Sequence, residues 1–480
     1  MTQPFVDPCG RGVIEAAPCP RELRREITAS RRRVVLAACV LASSMAFIDG
    51  SVLTVALPKL RVALGADLAR VQWVINSYVL ALAALTLIGG ALADAYGKAS
   101  MLSVGCLLFG AASVGCALAP SLGWLIGARV LQGIAAALLT PASLALIGAT
   151  YPKDERAGAI GVWAAASALT SAAGPVLGGW LTESFGWPAI FWINPPLAVV
   201  TIALLWFFAP PDFHEPRQFD VLGAGLVAAA LAALTWALSQ IGRGEPRAEF
   251  VRPDTTTIAI GVLGLAGLGV YVLWERVSSH PMIPPRLATN RAFVGLNAAT
   301  LLIYAGLSIM FFLLPFDLID RRGLLPISAG LALLPFTLGV GLLSPLFGGL
   351  AEKFGARLML VMGAGGASVA YLWMALAQDA SLILGVIAPQ TLLGIAFAVL
   401  VAPLTSSVMS SVPKSDEGLA SGVNNAASRV AQLAGIALAA GLGTLSSGYQ
   451  FGLLAAAAVS AAGAVTTALE VPQSMNQGIR

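Results

Sequence analysis

Residues 90–98 read Gly-Ala-Leu-Ala-Asp-Ala-Tyr-Gly-Lys, and residues 348–357 read Gly-Gly-Leu-Ala-Glu-Lys-Phe-Gly-Ala-Arg. Each closes a long apolar run with small residues and a charge cluster, and the two lie 258 residues apart. A second set of matches holds an offset of 261: Gly133-Ile134-Ala135 with Gly394-Ile395-Ala396, Pro152-Lys153 with Pro413-Lys414, Gly161-Val162 with Gly422-Val423, and Gly174 with Gly435. One register kept over about forty positions is internal repetition.

The runs around these phrases decide the class. The chain has 480 residues, 58% hydrophobic and 11% charged, against roughly 25% charged in soluble domains. Runs of about 20 apolar residues, enough to span a bilayer, recur almost end to end. They are continuously apolar rather than alternating, so they predict helices and not a barrel. Breaking at charges, prolines and glycine-rich turns gives fourteen spans: 34–57, 72–94, 99–119, 122–148, 158–182, 189–209, 220–240, 255–275, 292–316, 327–351, 357–377, 380–408, 418–443 and 449–469.

The repeat pairs span 2 with span 10 and span 4 with span 12. The chain is therefore an all-α polytopic membrane protein: a tail (1–33), a six-helix bundle (34–209), two linker helices with their loops (210–291), a second six-helix bundle (292–470) and a C-terminal tail (471–480). The run after Arg31-Arg32-Arg33 is too long for a signal-peptide core and lacks a small-residue cleavage pattern, so it reads as the first spanner. Lys and Arg concentrate on the side of the N-terminus, which places both termini in the cytoplasm.

Several classes are disfavoured. The five cysteines (Cys9, Cys19, Cys39, Cys106, Cys116) lack metal-ligand spacing, and the two histidines, His214 and His280, lie beside prolines in loops. There is no phosphate-binding Gly-x-x-x-x-Gly-Lys-Ser/Thr loop and no catalytic triad. The net charge of +4 belongs to topology rather than to nucleic-acid binding. The expectation is a transporter, not an enzyme, with no cofactor or metal.

Within the spans, Asp49 stands out. An intramembrane carboxylate must face the bundle interior, take a partner or hold a proton. One poised between desolvation and a nearby cation can take a proton on one side and release it on the other, or attract a cationic substrate. Arg129, about two turns into span 4, keeps its proton and must meet acceptors. Asn76, Gln132, Asn297, Asn424, Asn425 and Gln432, with Asp49, are candidate cavity residues. Arg429 lies mid-span without an evident acidic neighbour and gets no role. Asp317 and Asp320, at the end of span 9, are expected in solvent, and Trp73, Trp163 and Trp236 could stack on a flat cation. Gly174, Pro175, Gly178 and Gly179 suit a kinked helix packed closely between the halves. Gly90, Asp94, Gly97 and Lys98, with Glu352, Lys353 and Arg357, read as conformational latches on the cytoplasmic face.

The order of these motifs resembles one family. Gly90-x-x-x-Asp94-x-x-Gly97-Lys98 is similar to the cytoplasmic loop motif of the major facilitator superfamily. Ile48-Asp49-Gly50-Ser51 through Pro58 resembles the first-helix signature of its fourteen-spanner drug:proton antiporters. Arg129-x-x-Gln132-Gly133 resembles their basic fourth-helix motif, Gly174-Pro175-x-x-Gly178-Gly179 the motif of antiporters, and Trp187 through Pro196 their entry to span 6. The resemblance spans about residues 34–470. It implies the major facilitator fold, proton coupling at Asp49 and Arg129, and export of lipophilic, cationic drugs across the bacterial inner membrane by alternating access on the proton gradient. A monomer is expected because the sequence shows no long polar domain. A dedicated exporter of one metabolite, antibiotic or siderophore, or a transport-inactive receptor or scaffold, are the alternatives.

Overall fold

The computed structural model describes residues 28–210, 220–240, 254–278, 287, 289–413, 417–443 and 447–471. Cys9 and Cys19 in the tail, His214, His280, Lys414 and the last nine residues lie outside them. So do the side chains of Asp94 and Glu352, although their helices are described.

The described chain is helical throughout: α1 (Ala29–Ala63), α2 (Trp73–Tyr96), α3 (Lys98–Ala117), α4 (Leu122–Thr150), α5 (Lys153–Phe185), α6 (Asn194–Phe208), α7 (Val221–Ser239), α8 (Thr255–Val277), α9 (Arg291–Phe316), α10 (Leu334–Phe354), α11 (Ala356–Leu376), α12 (Ala388–Ser410), α13 (Glu417–Leu442) and α14 (Gly448–Glu470). A short helix, Pro326–Ala332, leads into α10, and π-helical turns Asp317–Arg321 and Ile383–Ile387 follow α9 and precede α12. Among the described residues, ten stretches are long and apolar enough to cross a membrane.

Several helices outrun their apolar cores. α1 starts earlier than expected because the Thr28 hydroxyl accepts from the Arg31 N–H at 3.4 Å, and it runs on past Pro58. α5 gains polar residues at both ends. Span 10, expected as one piece, is divided after Ala332.

The repeated phrase has a backbone reason. Gly97 (φ 100°) and Gly355 (φ 89°) join α2 to α3 and α10 to α11 directly. A left-handed link of one residue between two helices favours glycine.

Packing repeats as well. α1 packs on α5 and α6, α2 on α4, and α3 on α4 and α6; α9 packs on α13 and α14, α10 on α12, and α11 on α12 and α14. These are two bundles of one design. They meet where α5 crosses the Pro326–Ala332 helix and α10, where α2 meets α13, and where α1 meets α9. The hairpin of α7 and α8 lies alongside: α7 touches α2 of one half and α13 of the other, while α8 packs on α7 and turns Leu263 and Leu273 outward.

Candidate functional site

In the first half five helices converge on one polar cluster. Asp49 on α1 and Arg129 on α4 form an ion pair whose side chains are each 1% exposed. The Arg129 guanidinium donates to Asp49 Oδ2 through Nη1, to Gln132 Oε1 at 2.9 Å and, through Nε, to the Val74 carbonyl at 2.8 Å. The Tyr78 ring lies 4.2 Å from it, and the Tyr78 hydroxyl donates to the Ala46 carbonyl at 3.3 Å. Gln132 Nε2 donates to Asp49 Oδ1 at 3.4 Å and to Ser113 Oγ at 3.0 Å. Asn194 donates to the same hydroxyl at 2.9 Å, and Cys116 donates to Gln132 Oε1 at 3.1 Å. Two charges out of water persist only when hydrogen bonds surround them, and this cluster supplies those bonds.

The second half carries the same positions without the charge. At the 261-residue offset Arg129 becomes Gln390 and Asp49 becomes Met310, and the Gln390 amide lies 3.3 Å from the Met310 sulfur. Gln390 Oε1 has no partner among the described residues.

Between the halves lies a cavity of about 410 Å³, lined from one side by Phe47, Gly50, Ser51 and Pro175, among others, and from the other by Tyr304, Phe311, Phe336 and Arg429. A chamber of about 170 Å³ shares Phe47, Gly50, Ser51, Arg429 and Gln432 with it and reaches Tyr78 and Arg129. Gly50 in the wall is next in sequence to the buried Asp49.

The candidate cavity residues divide. Asn425 and Gln432 line the cavity. Asp49 and Gln132 do not: they are spent on each other and on Arg129. Asn76 is fully buried, its amide 3.5 Å from Gln72 Oε1. Asn424 bonds Thr300 at 2.7 Å and Asn297 at 3.3 Å, inside the second bundle. The aromatic wall comes from phenylalanine and tyrosine and not from Trp73, Trp163 or Trp236; Trp163 is held by Ser43 at 2.9 Å.

The glycines of α5 serve two contacts. A side chain on Gly174 or Gly178 would strike Ser51 or Val52 of α1, within the first half. Gly179 instead meets the backbone of Pro326 and Ile327, and Gly330 meets Pro175 and Val176, across the halves. The expected contact between halves therefore belongs to Pro175 and Gly179, because residues 174 and 178 share a different helix face. At the same end Arg61 closing α1 bonds Asp320 beyond α9 at 2.7 Å, and the Ile327 N–H donates to Glu183 at 3.3 Å.

Asp317, expected in solvent, is buried. Arg321 and Arg322 both bond it, Arg322 at 2.9 Å, while their other nitrogens reach the carbonyls that follow α11. Two neighbouring cations compensate its desolvation.

At the opposite face, described ion pairs stay within one half: Arg32 with Glu155 at 3.3 Å and Arg291 with Glu470 at 2.8 Å. Of the expected latches there, Gly90 lies where an added Cβ would meet only Pro141 of its own bundle, at an ordinary 3.6 Å, Lys98 opens α3, Lys353 is exposed in the last turn of α10, and Arg357 donates to the Ala468 carbonyl of its own half.

Tyr78 and Ser113 are not singled out by the sequence; Cys116 reads there only as a cysteine without metal-ligand spacing, and Asn194 only within the stretch from Trp187 to Pro196. Tyr78 stands one turn beyond Val74 on the face that meets Arg129, a relation that only the fold reveals.

Known proteins share this arrangement. The chain matches the Major Facilitator Superfamily over residues 39–298 and 296–477. It is 31% identical over 407 residues to the multidrug resistance protein Stp of Mycobacterium tuberculosis, covering 84% of this chain and 74% of that one. It is 32% identical over 422 residues to the lincomycin resistance protein of Streptomyces lincolnensis, covering 87% and 86%. Among solved structures, a bacterial homologue of the lysosomal transporter Spinster, in an inward-facing and unoccupied conformation, superposes with a TM-score of 0.67 at 17% identity, over 92% of this chain and 98% of that one. With two matched helical bundles around a central cavity, this chain belongs to the Major Facilitator Superfamily of membrane transporters.

Proposed function

We propose that the protein is a proton-driven exporter of lipophilic drug-like molecules in the bacterial cytoplasmic membrane, working by alternating access. On this reading α1–α14 are fourteen spans with both termini in the cytoplasm, the protein acts as a monomer among its lipids, and the proton gradient is its only energy source. The resistance functions in the names of its relatives support drug export. The observation that carries proton coupling is the ion pair of Asp49 and Arg129, fully buried and one residue from the cavity wall.

The contacts support such a coupling. A proton on Asp49 cancels its attraction for Arg129, which keeps Val74 and Gln132 as acceptors. α1 is then free to shift against α4. Its next residues, Gly50 and Ser51, line the cavity, and Ser51 and Val52 press on Gly174 and Gly178 of α5. α5 in turn carries Gly179 into the seam between the halves. The proton site, the cavity wall and the gate thus share two helices. Closure at the end marked by Arg61 and Asp320 matches a state open toward the cytoplasm. A cationic cargo would be attracted by Asp49 only in a state where Arg129 lets it go.

The test is transport of a fluorescent lipophilic dye in inverted membrane vesicles energised by a pH gradient, comparing the natural chain with Asp49→Asn. Gradient-driven accumulation abolished by the substitution is the expected result. Accumulation that survives it would move the proton site elsewhere.

A further inference from the structure

Among the described residues, the cavity walls contain two guanidiniums, Arg129 and Arg429, and no carboxylate. Arg129 is matched by Asp49. Arg429 is not: its hydrogen bond among the described residues is to Gln432 Oε1 at 3.4 Å, a neutral amide one turn along the same helix. Guanidinium cannot shed its proton, so this span holds a permanent charge without a described counter-ion. An unpaired charge at membrane depth is expensive and belongs to function by default.

Its surroundings describe a ligand. Asn425, Ser428, Arg429, Gln432 and Ile436 follow helical spacing along one face of α13, and all of them line the larger cavity. On the same side of the cavity stand Tyr304, Phe311, Phe312 and Phe336. Phe311 and Phe336 pack edge to face at 5.2 Å, as do Phe336 and Phe397 behind them at 5.6 Å. Such a wall offers flat apolar surface for a ring, beside one planar cation that suits a carboxylate in two-pronged fashion.

We propose that Arg429 is the substrate's charge anchor, and that the preferred cargo is an aromatic or lipophilic molecule bearing one anionic group. This deepens the transport reading and rests on it, and it reverses the charge expected from Asp49. The anchor and the proton site lie on opposite halves, so each can be altered alone. An anion leaving a cell that is negative inside is also helped by the membrane potential, which a cation is not.

The test uses three probes of one ring system: 1-pyrenebutyrate, 1-pyrenebutanol and 4-(1-pyrenyl)butyl-trimethylammonium. Displaceable binding to the full chain in nanodiscs of zwitterionic lipid is measured by fluorescence. The natural chain should bind the butyrate most tightly. Arg429→Gln should weaken the butyrate by about tenfold, the scale of a charge-assisted hydrogen bond, while leaving the alcohol unchanged; Arg429→Lys should recover part of the loss. Unaltered binding of the alcohol shows that the variant is folded. Tightest binding of the ammonium probe, or a butyrate affinity indifferent to Arg429→Gln, overturns the proposal. The same proteins in energised vesicles separate the two readings. Binding of butyrate through Arg429 without gradient-driven transport would sink the exporter and keep the anchor, whereas driven transport untouched by Arg429→Gln would keep the exporter and sink the anchor.

Discussion

Gln390 meets Met310 at 3.3 Å in the position where, 261 residues earlier, Arg129 meets Asp49. One fold has placed the same two positions in contact twice and charged them once. Removing one partner of a buried ion pair leaves the other uncompensated, at about 3–5 kcal/mol. Arg129→Leu should therefore lower the melting temperature in detergent strongly. Gln390→Leu removes an amide whose oxygen has no described partner, so it should be neutral or stabilising by about 1 kcal/mol. Equal destabilisation by the two would contradict this asymmetry.

The pair also separates stability from coupling. Asp49→Asn alone should melt earlier, and Asp49→Asn with Arg129→Gln should regain part of the loss, since the double variant buries no charge. Transport driven by the gradient should stay absent in both. Recovery of driven transport in the double variant would mean that the proton binds elsewhere.

Arg61 and Asp320 are about one-third exposed, so their bond contributes no more than about 1 kcal/mol to the contact between the halves at that end. Arg61→Ala should raise, by about two- to fivefold, the labelling of Ser308→Cys in the cavity wall by an impermeant maleimide supplied from that end. The background would be a chain lacking Cys9 and Cys19, because Cys39, Cys106 and Cys116 are buried. Exchanging the charges, Arg61→Asp with Asp320→Arg, should bring labelling back down.

Gly179 admits no side chain while it lies on Pro326 and Ile327. Gly179→Leu should hold that end open, with loss of transport and fast maleimide labelling from that side. Gly179→Ala should do so partially. Full transport by the leucine variant would show that the seam does not need to close.

Gly133 and Gly127 on α4 form a matched pair. A Cβ on Gly133 would run into the Tyr78 carbonyl and Ala81, whereas one on Gly127 meets nothing within 4 Å. Gly133→Ala should destabilise by about 1–3 kcal/mol through overpacking. Gly127→Ala should stabilise by about 0.5–1 kcal/mol through the helix preference alone. Thermal unfolding of the two variants reads the difference directly.

The sequence disclosed the all-helical, many-span class because repetition and apolar length are one-dimensional signals, and Gly97 and Gly355 marked the repeat with a backbone need. It disclosed Asp49 and Arg129 individually because charge is conspicuous in an apolar run. That they pair, eighty residues apart, is a property of how α1 crosses α4, and no spacing encodes it. Ser113 and Asn194 stayed hidden for the same reason: a serine or asparagine in a span is ordinary until the fold turns it toward Gln132. Asp317 misled because its position suggested water, while the turn that follows α9 wraps two arginines back over it. The polar face of α13 at 425, 428, 429 and 432 was legible as helical spacing, but only the cavity gives it a direction.

The distribution of charge between the halves has an evolutionary consequence. On the proposed reading, the power supply resides in α1 and α4, and the grip on cargo in α9, α10 and α13. On that reading the two repeats divide the labour. Selection for a new toxin can then rework the second copy while the first, locked by its ion pair, drifts little. A lineage built this way can change what it expels without relearning how to drive it.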